Sequence, residues 1–571
     1  MLLSNPTAAL LALAMGSSSV AVTAAIDLNT APNVIIMQPD DLHYFEDWSP
    51  PPHMQGMPHW AYPANSNFPF INRLRNDGVD MKRAYTASPK CGTSRYSTMT
   101  ARYASRSAHS RAHAANNIGL LSQVSIPTTK LHDEAAVPDG NDCSSSNLAH
   151  LFKENGYKTG VVGKWHLHNV GASSVYTDVQ TNIKACGFDY AEAIYQENLG
   201  DLTGSWIGGQ FSHNMEYVAS RAVKFIDDTA AQTTRQPFFL YANPTVPHDP
   251  AVLKALRQFD CTQTPEGTLT DPLDPVYDVP EMTGAYGGDC TAYRRSVIQR
   301  AAPSTDSADL GAIWTDDTVG AIIAALERNN ELDNTIFVFQ QDHGQEAKES
   351  LWENGLRILQ FVHFPNGGFS AAALADGFTG VASTIDLGPT AADYAGIDLS
   401  DSNTPGYYKT DGRSWKSAIQ AGKDWGSEDQ CIVGEIDKDR TVVCGCDKYM
   451  RINDDQDEET YTWQYGAEYH LGFASEMLFD LCDAGTTDYT TSPGTNREET
   501  NLISSNAARA AQLSNYLDCH ISKTVPTSDS PDYDTTCATS SINVVANGAA
   551  CPASCPSTGS NAWACDLCAE G

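Results

Sequence analysis

Four short apolar runs, each ending in a cluster of polar residues, constrain this chain more than any other feature. NVIIMQ (33–38) leads into Asp40-Asp41, and KTGVVG (158–163) leads into Lys164-Trp165-His166. PFFLYA (237–242) leads through NPTVP to His248, and NTIFVFQ (334–340) leads to Asp342-His343-Gly344. Continuous apolar runs of this length read as strands buried on both faces, the pattern of a parallel sheet covered by helices. The segments between them have helical spacing. SNLAHLFKENG sets Leu148, Leu151 and Phe152 on one face, with Gly156 suited to stop the helix. MEYVASRAVKFIDD spaces Met215, Val218, Ala222 and Phe225 in the same way, and TVGAIIAALERNN does so with Val319, Ile322, Ile323 and Leu326. The expected fold class is α/β, a large mostly parallel sheet flanked by helices. Open sheets of this kind bind ligands beyond the carboxyl ends of their strands. All four polar clusters fall at that edge.

The texture changes after residue 400. RTVVCGCDKYMRIND, YTWQYG and EMLFDLCD predict short strands of a small antiparallel sheet. The expected organisation is a signal peptide over 1–25, a large site-bearing α/β domain over 26–415, a smaller C-terminal α+β subdomain over 416–520, and a Ser/Thr/Cys-rich tail over 521–571. Pro- and Gly-rich loops interrupt the pattern at 46–70 and 262–289. The first follows Asp40-Asp41 directly and is a candidate substrate-facing wall. The second reads equally as a lid or as a solvated insertion.

Charge narrows the partners. With 36 basic and 70 acidic residues the net charge is −34. That argues against a nucleic-acid partner, which is bound through phosphate neutralisation. An anionic substrate needs a locally basic pocket against such a field. The opening residues have an apolar stretch followed by small residues, with VTA offering cleavage after Ala24, so the chain is expected to be secreted. No later run reaches the ~18 apolar residues of a membrane span. Fifteen cysteines suit an oxidising compartment, and the odd count leaves at least one without an intramolecular partner. If that one is Cys91, fourteen remain for disulfides. Cys551, Cys555, Cys565 and Cys568 are spaced more tightly than zinc ribbons, which favours disulfides there too. No glycosylation sequon with a permitted middle residue occurs.

Carboxylates that converge from two strand ends repel one another unless a cation lies between them. Asp40, Asp41 and Asp342 form an oxygen-rich set that favours Ca²⁺ or Mg²⁺, and the imidazole of His343 leaves Mn²⁺ open. Lys164 and His166 are two apart on what reads as an extended segment, so both are expected to face the same way. With Lys348 and His248 they would surround one anion. Cationic clamps and a general acid beside a metal are what transfer of a sulfuryl or phosphoryl group requires.

These segments resemble, in order, the formylglycine-dependent sulfatases of the alkaline-phosphatase-like superfamily. The resemblance runs from about residue 32 to 415 and more weakly to about 505. PNVIIMQPDDL resembles the family's opening metal strand, and CGTSRYSTMTARY its C-x-P-S-R motif followed by T-G-R. GYKTGVVGKWHL matches the second family motif most specifically, while PFFLYANPTVPHDP, AKESLWENGLR and DGRSW continue the order. The resemblance implies that a formylglycine-generating enzyme oxidises Cys91 to an aldehyde. Its hydrate attacks sulfur with one hydroxyl and expels sulfate with the other. By matching position, Asp40, Asp41, Asp342 and His343 would hold the metal with the Cys91-derived oxygen. Arg95 would support that group, Lys164 and Lys348 would grip the sulfate, and His166 would assist its release. His248 would protonate the leaving oxygen, a task shared with Lys348. Three departures stand out: Thr93 replaces the motif's proline, Ala101 replaces the following glycine, and His343 takes a position where many members have Asn. The expected activity is hydrolysis of sulfated carbohydrates or small sulfate esters. The alternatives are a phosphodiester or phosphonate ester hydrolase of the same superfamily, and an unconverted, non-catalytic binder of sulfated glycans.

Overall fold

The computed structural model describes residues 26–43, 68–107, 143, 145–168, 176–195, 212–248, 252–257, 261–265, 267–268, 279–345, 348–422, 431–436, 439–452, 475–482, 498 and 500–524. The expected signal peptide, most of the 46–70 loop, YTWQYG and the four tail cysteines lie outside the described residues.

Among the described residues ten strands precede residue 400: β1 (Asn33–Met37), β2 (Val79–Tyr85), β3 (Lys158–Lys164), β4 (Tyr190–Tyr195), β5 (Phe238–Asn243), the small β6/β7 pair (Gln263–Thr264 and Gly267–Thr268), β8 (Thr335–Gln340), β9 (Gln360–His363) and β10 (Phe378–Ser383). Eight of them form one sheet in the order β10-β2-β9-β8-β1-β5-β3-β4. Seven run in one direction, and β9 runs against both of its neighbours, β2 and β8. The four apolar runs are the adjacent central strands β8, β1, β5 and β3. Being covered on both faces, they needed apolar side chains at almost every position.

Alternation along these strands builds two apolar layers. Val34, Ile36, Val161, Phe239 and Tyr241 pack with Tyr96, Leu148 and Phe152 on one side. Ile35, Met37, Val162 and Leu240 pack with Met215, Phe225, Trp314 and Ile322 on the other. The expected helices supply those partners. Leu148–Glu154 begins at Asn147, whose side chain accepts the His150 amide at 3.0 Å, and Gly156 follows its end at φ +86°. Met215–Ala230 starts at a similar Asn214 cap. The third helix spans Ser307–Arg328, beginning well before the periodic stretch because Asp306 caps it.

A second sheet, β11 (Cys431–Ile436), β12 (Asp439–Cys444), β13 (Asp447–Arg451) and β14 (Glu476–Asp480), is antiparallel throughout in that order. β12 to β14 come from the predicted segments. β11, with the sequence CIVGEI, is an additional strand. The helix Ala507–Thr524 packs on this sheet and continues through residue 521. Disulfides join Cys143 to Cys186, Cys261 to Cys290, Cys431 to Cys444 and Cys446 to Cys482. Cys91 is the one free cysteine among the described residues.

Candidate active site

Strand β2 runs into Thr86–Lys90 and then the helix Cys91–Thr100, all ten residues of which are buried. An amphipathic helix would leave one face in water. This one has none, because it lies against the main sheet with the segment after β10 closing over it. Short polar side chains fasten it. Ser94 Oγ donates to the Asp342 carbonyl and sits 3.1 Å from Thr86 Oγ1. Gln38 Nε2 lies 3.3 Å from both Ser94 Oγ and Thr98 Oγ1, and Gln340 Nε2 reaches Thr98 Oγ1 at 2.9 Å. These bonds set Cys91, the first helical residue, against the carboxyl ends of β1 and β8.

Four groups meet there. Asp41, Cys91, Asp342 and His343 each offer a ligand atom, all within 4.8 Å of one another. His343 Nε2 is 3.2 Å from Asp41 Oδ1, 3.4 Å from Cys91 Sγ and 3.6 Å from Asp342 Oδ2. Its Nδ1 lies 3.2 Å from the Gly344 carbonyl, an acceptor that fixes the proton on Nδ1 and turns Nε2 inward. Asp41 adopts φ +58°, a left-handed turn that redirects the chain beyond β1.

Asp40 is placed differently. Its carboxylate is 2.5 Å from Lys164 Nζ and 3.2 Å from Arg95 Nη2, and it lies outside the group of four. Arg95 also reaches Asp342 Oδ2 at 3.5 Å. Lys348 Nζ contacts Asp41 at 2.7 and 2.9 Å, and His248 Nε2 lies 3.3 Å from Asp41 Oδ2. A backbone bond of 3.0 Å from His248 N to the Asp40 carbonyl ties the end of β5 to that of β1. Lys164, Arg95, His248 and Lys348 are thus gathered around the aspartates. His166 is half-buried at φ +57°. The extended geometry expected to align it with Lys164 ends at Lys164, because Gly163 (φ +85°) already breaks the register of β3.

The electrostatics follow from this crowding. Burial alone would raise Asp40, but Lys164, His248 and Arg95 hold it well below the usual carboxylate range. Asp41 is lowered against its burial by the His343 hydrogen bond and by His248 and Lys348. Asp342 moves the other way: burial raises it, and the charges of Asp40 and Asp41 add to that. Burial would lower His343, yet Asp342 and Cys91 lift it well above the imidazole range. Burial, helped by Lys164, depresses His248. Asp342 is therefore the carboxylate that most needs added positive charge. A divalent cation among Asp41, Cys91, Asp342 and His343 would supply it, and the donor set fits one.

The sequence reading missed several supports. Gln38, Ser94, Thr98 and Gln340 carry no signal, because single polar residues at strand ends and in a helix are commonplace. Lys90 and Glu349 were more legible: opposite charges stand immediately before Cys91 and immediately after Lys348, and the pair closes at 3.6 Å. The Glu349 amide also donates to the Pro89 carbonyl at 2.9 Å. Thr93 Oγ1 is 3.0 Å from the Lys90 carbonyl and 2.6 Å from Ser88 Oγ, so it ties the first helical turn to the preceding loop. Ala101 ends the helix at φ +51°, a conformation that glycine adopts without strain. Three other clusters of metal-ligating residue types, around Cys143, Cys261 and Cys446, each contain a disulfide, so their sulfurs are already bonded.

Comparison with known proteins gives the family and the fold. The sequence model of the Sulfatase family matches residues 32–397. An arylsulfatase of Clostridium perfringens is 24% identical over 373 residues, covering 58% of this chain and 71% of its own. A choline-sulfatase of Rhizobium meliloti is 28% identical over 368 residues, covering 58% and 64%. The crystal structure of a sulfatase from Pseudoalteromonas sp. superposes with a TM-score of 0.54 at 18% identity, over 88% of this chain and 92% of that one, and shares the fold. With the family model spanning well over half of its length, the chain belongs to the sulfatase family, the hydrolases of sulfate esters.

Proposed function

We propose that this is a secreted sulfatase acting on sulfated carbohydrates or small aryl or alkyl sulfates, with Cys91 as the precursor of its nucleophile. One observation carries the reading. The sole free cysteine among the described residues stands within a ligand group of two carboxylates and an imidazole, with two lysines and a second imidazole beside it. Formylglycine made from Cys91 would supply, as its hydrate, the hydroxyl that attacks sulfur. A hard divalent cation, calcium first and magnesium or manganese as alternatives, would be held by Asp41, Asp342 and His343 with residue 91 and would supply Lewis-acid charge neutralisation.

The remaining work falls to side chains. Lys164 and Lys348 are the cationic clamps for the transferred group, and both are held by aspartates that keep them at the edge of the sheet. Arg95, fully buried, keeps Asp40 and Asp342 from relaxing apart. His248 is placed to deliver a proton to the departing alcohol. The disulfides support the secreted assignment.

The test compares sulfate and phosphate esters of one alcohol, with residue 91 identified by peptide mass. Sulfate ester hydrolysis should disappear on metal removal. Full turnover by a verified metal-free sample sinks the reading, and preference for the phosphate diester transfers it to the alternative chemistry.

A further inference from the structure

The four groups around Cys91 would make different donor sets, depending on what residue 91 is. An aldehyde hydrate makes the set oxygen-rich, which suits a hard cation. A thiol makes it one sulfur, one imidazole nitrogen and two carboxylates. That is a four-donor set for a borderline-soft ion, and calcium, which takes 6–8 oxygen ligands, is poorly served by it. Asp40, beside Lys164 at 2.5 Å and Arg95 at 3.2 Å, lies outside this group of four.

Distances agree. Tetrahedral edges drawn at zinc bond lengths are roughly 3.3–3.8 Å. The separations from His343 Nε2 to Asp41, Cys91 and Asp342 are 3.2, 3.4 and 3.6 Å. An octahedral calcium shell has similar edges, so the donor atoms decide, and a thiolate selects the softer ion. The Gly344 carbonyl already holds the His343 proton on Nδ1, as a metal-ligating imidazole requires. Lys348 contacts Asp41 at 2.7 Å and offsets the surplus negative charge of three anionic donors on one divalent ion.

Two features make the thiol form relevant. Thr93 stands where the family motif has proline, and its hydroxyl bonds to Lys90 and Ser88 instead of stiffening the unfolded segment. Cys91 is only 4% exposed once folded, so a thiol that escapes modification is sealed in.

We propose that chains in which Cys91 remains a thiol bind zinc or a similar borderline-soft divalent cation through Cys91 Sγ, His343 Nε2, Asp41 and Asp342. These chains then form a metal-closed, inactive population. On binding, the S–H bond breaks, the proton passes to solvent and the sulfur lone pair bonds the metal; no redox partner is needed. The proposal rests on the reading of Cys91 as a precursor.

The probe is cobalt(II), added to full-length chain whose residue 91 is shown by mass to be thiol. Sulfur-to-cobalt charge-transfer absorption should appear in the near ultraviolet and vanish on addition of equimolar zinc. Cys91→Ser should lose the band and weaken zinc binding by roughly 100-fold or more, while calcium binding is kept or tightened by the oxygen donor. Because a substitution can perturb folding, a second measurement uses Thr93→Pro expressed with the modifying enzyme. Zinc bound per molecule should fall in proportion to the aldehyde gained. No charge-transfer band, or equal zinc affinity in the Cys91→Ser chain, overturns the proposal. Failure of the precursor reading shows elsewhere, as sulfate ester turnover by an all-thiol sample.

Discussion

The Lys164 ammonium lies 2.5 Å from an Asp40 carboxylate oxygen, and both side chains are about 1% exposed. A pair this deep is costly to break from one side, since the survivor is left as a buried unpaired charge, on the order of 3–5 kcal/mol. Lys164→Met should therefore lower the melting temperature as well as kcat/KM for every ester. Adding Asp40→Asn should recover much of the stability and none of the activity. Recovery of both in the double variant would remove Lys164 from the clamp.

His248 differs in what it is asked to do. His248→Ala should slow esters of poor alcohol leaving groups by about 10²–10⁴-fold and activated aryl esters much less. Only the poor leaving group needs its proton in the transition state. Comparing kcat/KM for the two ester types decides the matter, and equal losses would rule out a general acid here.

Thr93→Pro should be tolerated by the fold. Residue 93 is in the first turn of the helix, where the first intrahelical bond is Ser94 N to Lys90 O at 2.8 Å, so no backbone bond is forfeited. The variant loses the hydroxyl contacts at 3.0 and 2.6 Å, about 1 kcal/mol each. In a host that carries the modifying enzyme, the aldehyde fraction at residue 91 should rise by mass spectrometry. Activity per converted molecule should stay constant.

Acid sensitivity should centre on Glu435, which joins the small sheet to the segment after the Cys91 helix. Burial alone would raise its carboxyl. The His520 bond at 2.8 Å, Arg440 and the Ser105 hydroxyl at 2.8 Å bring it from an ordinary 4.5 down to about 2. The folded state thus binds fewer protons than the unfolded one in that window. Its contribution, roughly 3 kcal/mol, is complete above pH 4.5 and fades as pH falls through about 2. Glu435→Gln should be less stable at neutral pH and should lose less stability from pH 5 to 2 in denaturant titrations.

How much of this was readable depended on burial. β1, β3, β5 and β8 announced themselves because central parallel strands leave no polar positions to blur the pattern. β2 reads VDMKRAY, with half-buried Asp80 and Lys82 between buried neighbours, and gave no comparable run. β11 was hidden because CIVGEI carries Glu435, a buried charge whose partners, Ser105 and His520, are 330 and 85 residues away. At the site, residue types pointed to the chemistry, and pairing did not follow from them. Asp40 and Asp41 are adjacent in sequence, yet the left-handed turn at Asp41 sends one carboxylate to Lys164 and the other to His343. No periodicity encodes that split.

The burial of the Cys91 helix also sets a clock on biosynthesis. The walls that enclose Cys91 include His343, which follows it by 252 residues in the chain. Until β8 has left the ribosome those walls do not exist, and once it docks the thiol is out of reach of another protein. At about 5–20 residues per second, synthesis of that interval takes roughly 13–50 s. Any enzyme that modifies Cys91 has to work within that interval or within whatever delay precedes docking. Slower elongation between residues 91 and 343 would lengthen it, so codon usage there becomes a lever on how much of the protein matures.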